Sequence, residues 1–275
     1  MKIRYLGTAA AEGFPALFCA CEKCKKARQL GGRNLRMRAH ALIDDTLLLD
    51  LGPDLLVSSL RFGIDLTQLQ FCLVTHNHED HFCGDNLGYI RRGCFSTPPA
   101  DWVFRVYGNA EITEKVAAIS PSSSGQLEGI YAAPFRPFPV GSYTVTALKA
   151  LHGSKEPYIY VIQDGQKTLL YAHDSDIFPE ETWEYIKNQG LRFDLVSMDC
   201  TEGAMEAIPY QGHMCLGYNR RCKERLMEIG AADENTIFVS NHFSHNGKDA
   251  CYDDYAPLAN QAGLLTSYDG MEIEF

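Results

Sequence analysis

The sequence predicts a layered α/β fold with mixed sheets, on three observations. Apolar runs of strand length alternate irregularly with amphipathic runs of helix length. Some neighbouring strands are joined by tight turns and others by helical crossovers. No Pro/Ser-rich linker or shift of composition divides the 275 residues, so residues 1–275 are expected to form one domain. Hydrophobic residues make up 45% of the chain and charged residues 22%, enough for a sizeable core that needs no disulfides.

The elements follow from local pattern. Residues 2–8 alternate as an opening strand, and Gly7-Thr8-Ala9-Ala10 supplies small residues for close backbone approach. Ala41–Ile43 and Thr46–Leu49 flank the turn pair Asp44-Asp45 as a hairpin, and Pro53–Leu60 reads as a helix. Phe71–Val74 is a short buried strand. A short helix is expected over Gly84–Arg91 and a strand over Trp102–Tyr107, followed by a helix capped by Asn109 and running through Ala117. Strands then follow at Tyr143–Leu151, Tyr158–Gln163 and Thr168–His173, the last two joined by the turn Asp164–Lys167. Beyond these come a helix over Pro179–Asn188, a strand over Asp194–Met198, a helix over Leu216–Ile229 and a strand over Thr236–Ser240. A helix near Tyr255–Gln261 and strands at Leu264–Tyr268 and Met271–Phe275 close the chain. Residues 119–142 and 201–215 read as loops that would shape specificity.

Composition narrows the class. No apolar run approaches the roughly 18 residues of a membrane span, and Met1–Tyr5 lacks a leader's apolar core, so a cytoplasmic protein without membrane contact is expected. The ten cysteines then read as thiols or metal ligands. The net charge of −10 argues against nucleic acid as a partner, and the basic group Lys23, Lys25, Lys26, Arg28, Arg33, Arg36 and Arg38 reads as a solvated rim.

Chemistry concentrates in His76-Asn77-His78-Glu79-Asp80-His81, which places three imidazoles and two carboxylates in six positions after the strand Phe71–Val74. Neutral imidazole and carboxylate are ordinary ligands of zinc, manganese and iron, and ligands this close must lie on a tight loop. Asp50 either supports that loop by accepting a ligand N–H or caps the following helix. Cys19-Ala20-Cys21-Glu22-Lys23-Cys24 offers three thiolates, most of a tetrahedral zinc site, on a loop opened by Gly13 and Pro15. His40 and His173 read as structural. Ser154 and Lys155 stand where they could touch a phosphate, and Cys72, Cys83, Cys94, Cys200, Cys215, Cys222 and Cys251 read as small buried apolar residues.

Taken with His152, Asp174 and His242, each at a strand end, the run His76-x-His78-x-Asp80-His81 resembles the ligand order of the metallo-β-lactamase superfamily over nearly the whole chain. Cys19-x-Cys21-x-x-Cys24, Met198-Asp199-Cys200, Asn241–His245 and Asp269–Ile273 are similar, more narrowly, to the PhnP-type cyclic phosphodiesterases of carbon–phosphorus lyase pathways. PqqB-type enzymes of cofactor biosynthesis share the cysteine loop. The resemblance implies an αββα sandwich of two mixed β-sheets flanked by helices. It implies two divalent ions, zinc or manganese with iron also compatible: His76, His78 and His152 on one, Asp80, His81 and His242 on the other, Asp174 bridging. Asp80 and His213 would be the catalytic residues, His213 by meeting the phosphate or protonating a leaving oxygen; a loop histidine bonded to backbone is the other reading. His245, three residues beyond His242, would complete a structural zinc site with Cys19, Cys21 and Cys24. The expected activity is hydrolysis of a small, cyclic or linear, phosphodiester, and a homodimer is compatible with the sequence. A PqqB-like oxidative role, hydrolysis of a lactone or thioester, and an inactive ligand-binding module remain open.

Overall fold

Two seven-stranded sheets face each other in the computed structural model, which describes residues 1–275. The first contains β1 (Lys2–Gly7), β2 (His40–Ile43), β3 (Leu47–Leu49), β4 (Phe71–Leu73), β5 (Phe104–Gly108), β6 (Leu127–Tyr131) and, at its edge, β14 (Glu272–Glu274). The second contains β7 (Pro137–Val140), β8 (Tyr143–Lys149), β9 (Tyr158–Gln163), β10 (Thr168–Ala172), β11 (Leu195–Asp199), β12 (Ile237–Asn241) and β13 (Leu265–Thr266). Strand order is β14-β1-β2-β3-β4-β5-β6 in one sheet and β13-β12-β11-β10-β9-β8-β7 in the other. Each sheet passes from antiparallel pairs (β14 to β3, β7 to β10) to parallel ones (β3 to β6, β10 to β13).

Period-two alternation sorts the strand residues between layers. Ala41, Ile43, Leu47, Leu49, Leu169 and Tyr171 point between the sheets, into a core shared by both. Leu42, Leu48 and Cys72 point outward instead, onto α2 (Leu55–Phe62) and α3 (Ala110–Ile119). On the far side Leu170 and Ala172 meet α4 (Glu180–Asn188), α5 (Leu216–Glu228) and α6 (Tyr252–Gln261). The result is the expected αββα sandwich of two mixed sheets flanked by helices. No helix is long and apolar enough to cross a membrane.

Several elements depart from the sequence reading. The cysteine segment is not all loop, because Cys21 caps α1 (Glu22–Leu30) by accepting from the Cys24 N–H and Cys24 lies inside the helix. This helix buries only Cys24 and Ala27, so it carries no apolar period to read. Residues 119–142 hold two edge strands, β6 and β7, where only a loop was expected. Gly129 interrupts one and two prolines the other, features that suit edges and obscure a strand pattern. Arg36 leaves the basic rim altogether. It is buried over the Phe243 ring, 4.2 Å from its centroid, and donates to Thr8 Oγ1 and the Ser267 carbonyl. Cys94 is exposed and Cys83 half-buried, whereas the other cysteines read as packing residues are buried.

Candidate metal centre and cleft

The histidine-rich loop is anchored before it turns. Asp50 accepts from the Thr75 N–H at 2.8 Å, from Thr75 Oγ1 at 2.9 Å and from His81 Nδ1 at 2.8 Å. Asp54, not Asp50, occupies the cap position of α2, so the support role is the one the structure gives Asp50. The loop closes on itself when the His81 and Phe82 N–H groups both donate to the His78 carbonyl. Gly52 makes room for it, since a Cβ there would lie 2.1 Å from the Asp80 carbonyl oxygen.

The remaining donors arrive from the ends of three strands of the second sheet. His152 follows β8, Asp174 follows β10 and His242 follows β12. Asn109 caps α3 through its oxygen, and its Nδ2 donates to the Lys155 and Glu156 carbonyls, fixing the segment beyond His152. Two overlapping groups result, His76–His78–His152–Asp174 and Asp80–His81–Asp174–His242, each with all its ligand atoms within 4.8 Å of one another. Asp174 Oδ2 lies 3.0 Å from His76 Nε2, 3.4 Å from His81 Nε2 and 3.1 Å from His152 Nε2. His78 Nδ1 and His152 Nε2 approach to 3.1 Å, and His81 Nε2 and His242 Nε2 to 3.2 Å. Asp50, Asp174 and His242 take left-handed backbone conformations, with φ of 63°, 53° and 64°.

The residues present fit divalent ions. His81, His152 and His242 each engage Nδ1 away from the group, with Asp50, the Gly212 carbonyl and Thr201 Oγ1 respectively. That leaves Nε2 of each to turn its lone pair inward. His76 Nε2 and Asp174 Oδ1 are buried and make no well-aligned hydrogen bond, although Asp174 Oδ2 and His213 Nδ1 respectively lie 3.0 Å from them. Close approach without alignment, inside a ring of imidazoles and carboxylates, is the expected state of ligand atoms. Electrostatics point the same way. Burial opposes ionisation of Asp80, Asp174 and Asp199, yet neighbouring histidines hold all three below the usual carboxylate range. Burial likewise acts to lower His242, but Asp174, Asp199 and Asp80 raise it to about 9. The buried anions demand compensating positive charge, which cations at this place would provide.

The same C-terminal segment reaches a second group. Past His242, the Phe243 N–H donates to the Thr8 carbonyl and His245 turns toward the cysteines, with Nδ1 at 3.5 Å from both Cys19 Sγ and Cys21 Sγ. Cys19, Cys21, Cys24 and His245 form a four-donor group whose ligand atoms lie within 4.8 Å of one another. Three thiolates and one imidazole suit tetrahedral zinc and leave no open position. The Cys24 N–H and His245 pull the Cys21 thiol down to about 6, whereas burial pushes Cys24 up to about 12. Cys21→Ala is expected to remove one zinc per chain and to lower the melting temperature by about 5 °C or more. Unchanged zinc stoichiometry and melting temperature would show that the group is not a zinc site.

His213 stands beside the His/Asp cluster. Its Nδ1 is 3.0 Å from Asp174 Oδ1, 3.3 Å from Asp199 Oδ2 and 3.1 Å from Thr201 Oγ1, so Nε2 is the atom left for solvent and ligand. Burial acts to lower its pKa, but Asp199 and Asp174 raise it to about 11. The cluster and His213 line a cleft of about 320 Å³ together with Glu12, Thr201, Glu202, Tyr210, Ser244 and Asn246. Ser154 and Lys155 do not line it. His40 bonds to Ser58 and the Arg38 carbonyl, and His173 to Ser197 and Asn241, both away from the cluster. Sequence reasoning gave no role to Asp199, which accepts from the Thr201 and Met214 N–H groups and holds His213 and His242. It was visible only as the middle of Met198-Asp199-Cys200. Glu12, Glu202 and Tyr210 carried no signal.

Comparison with known proteins bears on this arrangement. A search of curated protein sequences gives no match. Among solved structures the chain is similar to a diphosphatase from the PhnP family, at 21% identity and a TM-score of 0.74, covering 100% of this chain and 97% of that one. It is similar to zinc-bound PqqB from Methylobacterium extorquens at 17% identity and a TM-score of 0.75, covering 100% of each chain. Human tRNase Z, short form, aligns at 14% identity and a TM-score of 0.64, over 100% of this chain and 99% of that one. Identities this low speak for the fold alone. The beta-lactamase superfamily domain matches residues 45–233, the span from β3 to beyond α5 that carries the histidine-rich loop, His152, Asp174 and His213. With that match over most of its length and the two-sheet αββα architecture, the chain belongs to the beta-lactamase superfamily.

Proposed function

We propose that the chain is a metal-dependent phosphodiesterase acting on a small, cyclic or linear, diester. The observation that carries this reading is His213, set against Asp174 and Asp199 at the rim of two overlapping His/Asp ligand groups and open to the cleft. His76, His78 and His152 would hold one divalent ion and Asp80, His81 and His242 the other, with Asp174 shared. Zinc, manganese or iron suits these donors. When bound, such a pair supplies a water of lowered pKa and neutralises charge on a phosphoryl group.

The protein's own part is orientation and proton supply. Asp50 fixes His81, the Gly212 carbonyl fixes His152, and Thr201 fixes His242, so the ligand set is preorganised for its ions. Asp199 and Thr201 hold His213 with Nδ1 inward. Its Nε2 then faces the place where a leaving oxygen would emerge and can donate a proton to it. A diphosphatase and a tRNase among the proteins of like fold support phosphate chemistry over attack on a lactam. The expected substrate is a small molecule, since the net charge of −10 gives no long-range attraction for nucleic acid.

The test is turnover of a panel by metal-loaded protein of measured metal content. It contains cyclic ribose phosphates, 2′,3′-cyclic nucleotides, a linear aryl phosphodiester, a lactone and a thioester. Hydrolysis of at least one phosphodiester is expected. Turnover confined to the lactone or thioester, or nucleotide binding without any turnover, would overturn the reading.

A further inference from the structure

The cleft over the ligand cluster has an unusual charge balance for a site that would take an anion. Among the residues lining it there is no lysine or arginine, and its wall carries two carboxylates, Glu12 and Glu202. Glu202 is nearly buried, at 9% exposure, and accepts from Tyr210 Oη through Oε1; no protein group donates to its Oε2. Glu12 is held in the same wall by Ser244 Oγ, and its Oε1 lies 3.7 Å from His245 Nε2. The floor of this cleft is the His/Asp ligand group, in which Asp174 Oδ1 is buried and makes no well-aligned hydrogen bond although His213 Nδ1 lies 3.0 Å away, so the cleft is a place for a ligand and not a solvated acidic surface. Outside it, past His78 and Asp80, a wider groove does contain Arg38 and Lys115. Arg38 is committed to Asp54 at 2.9 Å, and Lys115 to Asn77 Oδ1 at 2.7 Å.

Resting on the phosphodiesterase reading, we propose that Glu202 and Glu12 select the substrate by the charge of the arm that enters this cleft. A hydroxyl-bearing or ammonium-bearing arm gives donors to Glu202 Oε2 and the Glu12 carboxylate. An arm carrying a second phosphate meets two anions, and the one imidazolium in the lining outside the ligand set, His213, is already paired with Asp174 and Asp199. Ions held by the cluster would have much of their charge taken up by Asp80, Asp174 and the scissile phosphate itself. The substrate class is therefore a diester with one negative charge, at the scissile phosphate, and a polyhydroxylated or cationic arm. Discrimination of this kind works by rejection as much as by attraction.

Three p-nitrophenyl phosphodiesters with a common leaving group test the proposal, their second arms being choline, glycerol and phosphoglycerol. With metal-loaded wild type, kcat/KM is expected to be at least about tenfold higher for the choline and glycerol esters than for the phosphoglycerol ester, and the gap should narrow as salt is raised. Glu202→Gln is expected to shrink that ratio by about threefold or more, and Glu202→Gln with Glu12→Gln further, at unchanged metal content. A merely structural role for Glu202 would lower all three rates alike and leave the ratio where it was. Equal or better turnover of the phosphoglycerol ester, or a ratio insensitive to both substitutions, would overturn the charge-selection proposal while leaving the phosphodiesterase reading standing. Failure to hydrolyse any of the three esters while a cyclic diester is turned over would likewise overturn the charge-selection proposal, whereas failure on every phosphodiester, cyclic and linear, with full metal content, would instead bring down the reading on which it rests.

Discussion

Asp174→Ala is expected to cause the largest loss of activity, on the order of 10³-fold or more in kcat/KM, together with loss of at least one of the two ions from the catalytic cluster. Asp174 belongs to both ligand groups, and its two oxygens reach four imidazoles: His76, His81 and His152 through Oδ2, His213 through Oδ1. No neighbouring carboxylate could take its place without moving a strand, because the position is set by the end of β10 and by a left-handed backbone conformation. Metal content by mass spectrometry alongside kinetics checks the prediction. A variant that kept two catalytic ions per chain and normal turnover would show that Asp174 is not shared between them.

The second large effect is expected at His213. His213→Ala should lower kcat by about 10²- to 10⁴-fold on a diester with an alkoxide leaving group, with metal content unchanged, because the proton donor is lost and the ligand set is not. The same substitution should matter far less for a p-nitrophenyl ester, whose leaving oxygen needs little protonation. That contrast separates proton donation from simple support of the cluster, which would depress both substrates equally. Normal turnover of the alkyl ester by His213→Ala would remove the catalytic role.

What could be read in the sequence follows from how the chemistry is spaced. The run from His76 to His81 concentrates so many ligand types that it announces a metal loop by itself, and the cysteine triplet does nearly the same. His152, Asp174 and His242 are single residues at strand ends, indistinguishable locally from caps and turns. They drew attention only through the resemblance of their order to a superfamily, and the structure brings them together with the loop. Asp199 has the same local appearance and went without a role, since its function lies in the two histidines it touches 14 and 43 positions further on. The cleft wall was the least legible part. Glu12 follows β1, while Glu202 and Tyr210 lie between β11 and α5, and nothing in composition or periodicity says that such distant segments meet. Among the secondary elements, α1 was hidden by its polarity and β6 and β7 by their edge positions, whereas the buried parallel strands stood out as apolar runs.

The left-handed conformations at Asp50, Asp174 and His242 place a thermodynamic load on the centre of the molecule. Each costs about 1 kcal/mol or more for a residue with a Cβ, and they sit where the carboxylates of Asp50, Asp80, Asp174 and Asp199 are all buried. Ligand binding to the folded state alone offsets such a load in proportion to the logarithm of ligand concentration. With ions bound as proposed, the stability of this fold would be tied to the free metal available around it. Scarcity of such an ion would then lower the population of folded chain as well as the fraction that is active.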